Sequence, residues 1–256
     1  MQSSESKNAS CPKVLGIDEK HFTKKAGYMT TFANLKTHKV YDVTLGRSDA
    51  SLKDFVLKIP DRSNCKVILM DLCETFRNLA HKYFKNALVV ADRFHVVKLI
   101  NLHFLKTWSM LDPEGRKSRG LISTMRRHEW SPFNPKSKER LSLYLNGNPA
   151  LKVIYEFKQE LMKLILSRVS NRKQAAPLVV EYLEMIRKLQ ESKLRPLVTL
   201  GNTLENWQKE IVRMWRFSKT NSITEGLHRR MDEILNRAYG MTNFNNFRIR
   251  IKAYAG

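Results

Sequence analysis

The chain has 256 residues, enough for one large domain or two small ones with ample core, and its 42% hydrophobic and 27% charged content are those of an ordinary globular protein. Its charge is not ordinary: 46 Lys and Arg against 24 Asp and Glu leave +22, which calls for a polyanionic partner, DNA or RNA before a membrane surface. There is no apolar run near 18 residues and no signal-peptide pattern, which argues against a membrane protein; Cys11, Cys65 and Cys73 lack CxxC spacing and His partners at zinc intervals, so they read as reduced thiols of an intracellular protein.

Residues 1–12 are polar and Ser-rich and read as a disordered leader. Val14 to Glu19 opens the fold as an apolar run ending in Asp18 and Glu19. Gly27–Ala33 and Val40–Leu45 follow, rich in Thr, Tyr, Phe and Val, so the opening predicts a three-stranded antiparallel meander with Asp18 on its first strand. Ser48–Ile59 predicts a helix capped by Ser48 or Asp49, with Leu52, Phe55, Val56 and Ile59 on one face. Lys66–Met70 is a short apolar run of the kind buried on both faces of a sheet, and it delivers Asp71 at its C-terminal end. After a predicted helix over Glu74–Phe84, Ala87–Ala91 is a second such run and delivers Asp92 at the same relative place. A strand-end Asp commonly caps the next helix. Two of them on consecutive strands also place two carboxylates on the sheet edge where open α/β folds bind ligands. The order βββαβαβα, with acids on the first and fourth strands, is the ribonuclease H-like arrangement of a mixed α/β sheet flanked by helices.

From Leu99 to about Leu200 the pattern is helical: Leu99–Leu111, Glu139–Leu145, Ala150–Ser167 and Ala176–Glu191 are amphipathic windows. Basic residues stud this section, and their consistent sign predicts a phosphate-facing surface. A further helix is predicted over Asn202–Phe217, whose Trp207 and Trp215 are expected to pack rather than stack on bases. Ser222-x-x-Glu225 has capping-box spacing and opens a helix over Gly226–Tyr239; Asn243–Tyr254 continues, rich in Arg and Phe. The expected organisation is a leader (1–12), a first core segment (13–98), an all-helical insertion (99–200) and a closing core segment (201–256).

Seven stretches resemble the DDE transposases of the ISL-three insertion-sequence family. They are Val14 to Glu19, Met70 to Phe76, Ala91 to Val96, Asp112 to Lys117, Met214 to Lys219, Thr224 to His228 and Arg237 to Arg248. The resemblance spans about residues 13–252. It implies a ribonuclease H-like core interrupted by a helical insertion before the last catalytic helix, and DNA (transposon ends and target) as substrate. It also implies two Mg²⁺ or Mn²⁺ ions, a homo-oligomer as a possible working form, and a bacterial cytoplasmic, nucleoid-associated location. Carried over residue by residue, the catalytic and metal-binding triad is Asp18, Asp71 and Glu225. Asp92 is the alternative to Asp71; Asp92, Arg93 and His95 otherwise contact DNA or support the ligands, as do His228 and Arg229 on the helix of Glu225. His228, Arg229 and Asp232 follow Glu225 at i+3, i+4 and i+7, and Glu19 points away from Asp18. The family's cysteine-rich zinc segment and helix-turn-helix do not fit in the leader, so the resemblance covers the catalytic half and leaves specific end recognition by this chain open. A non-catalytic DNA-binding or regulatory remnant is the alternative expectation.

Overall fold

Strand β1 (Val14–Thr23) is the longest of the sheet and its centre. On one side it pairs antiparallel with β2 (Gly27–Asn34), which pairs antiparallel with β3 (Lys39–Leu45). On the other it pairs parallel with β4 (Val67–Met70), which pairs parallel with β5 (Leu88–Ala91). The order β3-β2-β1-β4-β5 is a five-stranded mixed sheet flanked by helices, compatible with a ribonuclease H-like fold. These elements come from a computed structural model that describes residues 10–129, 131, 134–217, 222–237 and 241–255, the side chains of Ser222 and Glu225 excepted. All four residues of β4 are buried, as a central parallel strand requires. Helix α1 (Asp49–Leu57) makes the crossover from β3 to β4 and α2 (Glu74–Tyr83) that from β4 to β5. The cap of α1 is a reciprocal box with Ser51 in the usual Glu position: the Ser48 hydroxyl accepts from Ser51 N–H and the Ser51 hydroxyl accepts from Ser48 N–H.

The chain divides into two units, one of residues 1–92 with 219–256 and the other of residues 93–218. The second unit is helical throughout its described residues: α3 (Arg93–Leu111), α4 (Arg119–Arg126), α5 (Pro135–Asn146), α6 (Pro149–Leu166), α7 (Arg172–Gln190), α8 (Arg195–Asn206) and α9 (Gln208–Met214). The single helix expected over 202–217 is two helices broken at Trp207, whose φ of −101° and ψ of 11° leave the α region. The first of them starts earlier, with Pro196 in its first turn, where a missing N–H costs nothing. Trp207 and Trp215 are buried; the Trp215 indole donates to the Leu164 carbonyl at 3.0 Å and meets Tyr182 edge-on.

Trp108, Leu121, Met125, Leu141, Leu145 and Leu151 form a core joining α3, α4, α5 and α6. The Asp112–Lys117 motif closes its rim. Asp112 accepts from Gly115 N–H at 2.9 Å and from the Tyr144 hydroxyl at 2.5 Å, and that hydroxyl accepts from the Trp108 indole at 2.7 Å. These bonds hold the Asp112 carboxyl below its ordinary range, and burial with the neighbouring carboxylate pushes Tyr144 up to about 12. A Cβ on Gly115 would lie 2.2 Å from an Asp112 oxygen and 2.3 Å from the Tyr144 hydroxyl. Gly115→Ala therefore breaks the network, and urea titration is expected to show a loss of about 1–3 kcal/mol.

A second rule-breaker lies nearby. Lys158 is almost wholly buried, and its ammonium caps the C-terminal end of α4 by donating to the carbonyls of Met125 and Arg127. Burial, and then the Arg126 charge, lower its pKa from 10.5 to about 7. Between those two values the unfolded chain binds a proton that the folded chain does not, so stability rises with pH across roughly pH 7–10; below 7 the full cost of burying the charge is present. The full span is on the order of 5 kcal/mol. Unfolding free energies measured from pH 6.5 to 9.5 are expected to climb more steeply in the wild type than in Lys158→Met; parallel curves would show that the ammonium does not titrate there.

Candidate active site

The two C-terminal helices, α10 (Ser222–Arg237) and α11 (Phe244–Ala255), belong to the same unit as the sheet. Side chains of β1 alternate between faces, and its even-numbered residues meet α10 and α11 in order. At Gly16 an added Cβ would lie 3.2 Å from the Thr224 hydroxyl and 2.9 Å from Leu35, so the missing side chain is what lets the helix in. One step along, an Asp18 oxygen lies 3.7 Å from His228 Nδ1. The next, Lys20, makes a 2.7 Å ion pair with Asp232. Phe22 then packs on Phe244 and Phe247 of α11. Positions 224, 228 and 232 are one helical turn apart, so α10 runs along β1 in register with its pleat. On β2, the Thr31 hydroxyl lies 3.1 Å from His228 Nε2 and is within reach of the Met231 sulfur; Thr31 is the antiparallel partner of Asp18.

The parallel half of the sheet then aligns three acids. Ile17 pairs with Met70 and Met70 with Ala91, so the next residues, Asp18, Asp71 and Asp92, form one row across β1, β4 and β5 at the C-terminal edge. Asp92 N–H bonds the Met70 carbonyl at 2.7 Å, keeping that row tight. Members of the row differ. Asp18 and Asp71 keep slight exposure, at 7% and 9%, and each offers an oxygen within 4.8 Å of the other. Asp92 is completely buried and is not in that group. Magnesium takes oxygen ligands at about 2.0–2.1 Å, so a small rotation of either carboxylate brings both onto one ion. These two carboxylates are hard oxygen donors, which suit Mg²⁺ or Mn²⁺ better than soft metals.

The other sequence-predicted residues fall as follows. Glu19 points to the opposite face, where it pairs with the exposed Arg47. Arg93, the first residue of α3, is buried and donates to the backbone carbonyls of Ser167 and Met214 inside the helical unit. His95 lies in the first turn of α3, edge-on to Phe94. Arg229 is exposed on α10. Position 225 is helical, one turn before His228, but the side chain of Glu225 lies outside the described residues, as does the Ser222 partner of the capping-box spacing. Lys20 and Thr31 were missed in the sequence; only the period-2 alternation from Asp18, and the antiparallel pairing of β2, could have pointed to them. Among the described residues, no helix is long and apolar enough to cross a membrane.

No curated protein and no solved structure gives a significant match to the chain. A family model described as a transposase, that of the ISL-three DDE family, matches residues 15–251, which takes in β1 with Asp18, the strand edge with Asp71 and Asp92, the helical unit and α10. With nearly its whole length matched, the chain belongs to the ISL-three family of transposases.

Proposed function

We propose that the chain cleaves DNA strands and transfers them by metal-dependent in-line attack at phosphorus, using Asp18, Asp71 and Glu225. The observation that carries this reading is the register of β1 and β4, which sets the Asp18 and Asp71 carboxylates side by side at the sheet edge within 4.8 Å. Two nearly buried carboxylates held that close repel each other, an arrangement that costs stability unless cations occupy it. Asp18 and Asp71 would hold divalent ions there, with Glu225 as the carboxylate added from α10. Bound ions would acidify the attacking water or 3′-hydroxyl and steady the leaving oxygen. His228, Thr31 and the Lys20–Asp232 pair act as positioning residues: they fix where α10 lies along β1 and so where position 225 stands relative to Asp18. Helical geometry supports this, since 225, 228 and 232 share one face. Asp92 is read as a support for the edge, and the unit 93–218 as the family's helical insertion between the second and third acids.

In the direct test, the purified chain is incubated with supercoiled plasmid in Mg²⁺ or Mn²⁺ and, in parallel, in EDTA. Nicked product is expected only with the metal. Salt-dependent DNA binding with no cutting under either condition would instead establish a binding or regulatory remnant.

A further inference from the structure

We infer that the exposed face of α4 is a docking surface for the phosphate backbone of duplex DNA, an assignment that rests on the proposed function for its partner. Helix α4 is short and sharply two-sided. Leu121, Thr124 and Met125 are buried against the Trp108 core, and Arg119, Ser123 and Arg126 stand exposed on the other side, with exposed Arg127 following. From Gly115 to His128 the chain carries Arg116, Lys117, Arg119, Arg126 and Arg127 and no acid.

At least two of those cations have local partners. Lys117 is paired with Glu114 at 2.6 Å, and Arg116 lies 5.7 Å from the centre of the Trp108 ring. Cations near a helix C-terminus usually serve its carbonyls and dipole. Here a buried ammonium already fills that role, since Lys158 donates to the Met125 and Arg127 carbonyls, and Gln159 donates to the latter at 3.1 Å. Arg126 lies near enough to Lys158 for its charge to be among the causes, after burial, that lower the lysine's pKa. With the carbonyls at that helix end already served by Lys158 and Gln159, the exposed Arg126 presents its charge to solvent, where a phosphate can meet it. Arginine at 119 and 126 is two turns apart, about 10 Å along the helix, a span that fits phosphates separated by one to two nucleotides of a strand.

Binding of a labelled 30-base-pair duplex is followed by fluorescence anisotropy in EDTA between 50 and 300 mM KCl, comparing the wild type with R119Q/R126Q/R127Q. Each lost phosphate contact lowers the slope of log Kd against log salt by about 0.9, so the variant's slope is expected to fall by about 2–3. An equal-charge control, K24Q/K25Q/K36Q on the exposed hairpin turns, is expected to lower it by less than 1, and R119K/R126K/R127K to restore most of it in a protein of unchanged melting temperature. A wild-type slope in the glutamine variant, or an equal fall in the control, overturns the assignment. The plasmid assay reads the catalytic proposal separately. Intact metal-dependent nicking alongside an unchanged slope sinks α4 alone; loss of slope in a chain that never cuts leaves α4 standing and sinks the catalytic reading.

Discussion

Asp18→Asn and Asp71→Asn are each expected to reduce metal-dependent nicking about 10³-fold or more, a barrier increase of about 4 kcal/mol. Asn keeps the shape of the side chain and removes its charge, so the loss reports the carboxylate as a ligand rather than as packing. The same substitutions remove the repulsion between two acids held within 4.8 Å, and the metal-free melting temperature is expected to hold or rise. In the wild type, added Mg²⁺ raises the melting temperature because only the folded chain gathers the ligands; in either variant that increment should shrink. Asp92→Asn is expected to behave oppositely. Asp92 is completely buried at the end of β5, so its replacement costs stability, about 1–3 kcal/mol, and lowers nicking less than tenfold. A large loss of nicking in Asp92→Asn with little in Asp71→Asn would transfer the second ligand to β5.

The legible part of this site was the part written in strands. Short apolar runs ending in Asp18, Asp71 and Asp92 could be read directly, because a central parallel strand needs apolar residues on both faces and presents its first polar residue at its tip. Their alignment was not legible, since it depends on which strands neighbour one another, a long-range choice; the mixed order around β1 sets it. Choosing between Asp71 and Asp92 turns on exposure of a few per cent, which no local pattern encodes. On α10, the spacing of Glu225, His228 and Asp232 showed a common face but not what that face meets. Lys20 gave no signal because a lone lysine on a strand reads as solvent-facing, and its role appears only when Asp232 lies opposite. In the helical unit, α4 escaped notice because a basic octet with only three core-facing residues resembles a loop, and the single helix read over 202–217 missed the break that buried Trp207 makes.

Arg248→Met is expected to destabilise the sheet unit by about 2–3 kcal/mol. Asp42, on β3, is 1% exposed and carries a charge that the fold must answer. Arg248 answers it with two parallel bonds, Nε and Nη2 each 2.6 Å from a different carboxylate oxygen, while its guanidinium lies 5.9 Å from the Phe55 ring centre. The bond to Asp42 raises the Arg248 pKa, and Lys252 adds a weaker contact at 3.6 Å. Removing one partner of a buried pair strands the other, at a cost of about 3–5 kcal/mol; the partial exposure of Arg248, 36% of its side chain, reduces that figure. Asp42→Asn/Arg248→Met removes both charges and is expected to recover more than half of the loss, measured by urea titration. Equal losses in the single and double variants would mean that Arg248 acts through packing alone. The functional consequence follows from where the clamp sits. It ties α11 to the edge strand of the meander, and α11 packs against α10, whose register along β1 places position 225. An apolar contact at this point would tolerate sliding, whereas a two-pronged ion pair has one good geometry. The Arg248→Met protein is therefore expected to lose nicking activity well below its melting temperature, and the double variant, which regains stability without the clamp, to regain less activity than stability.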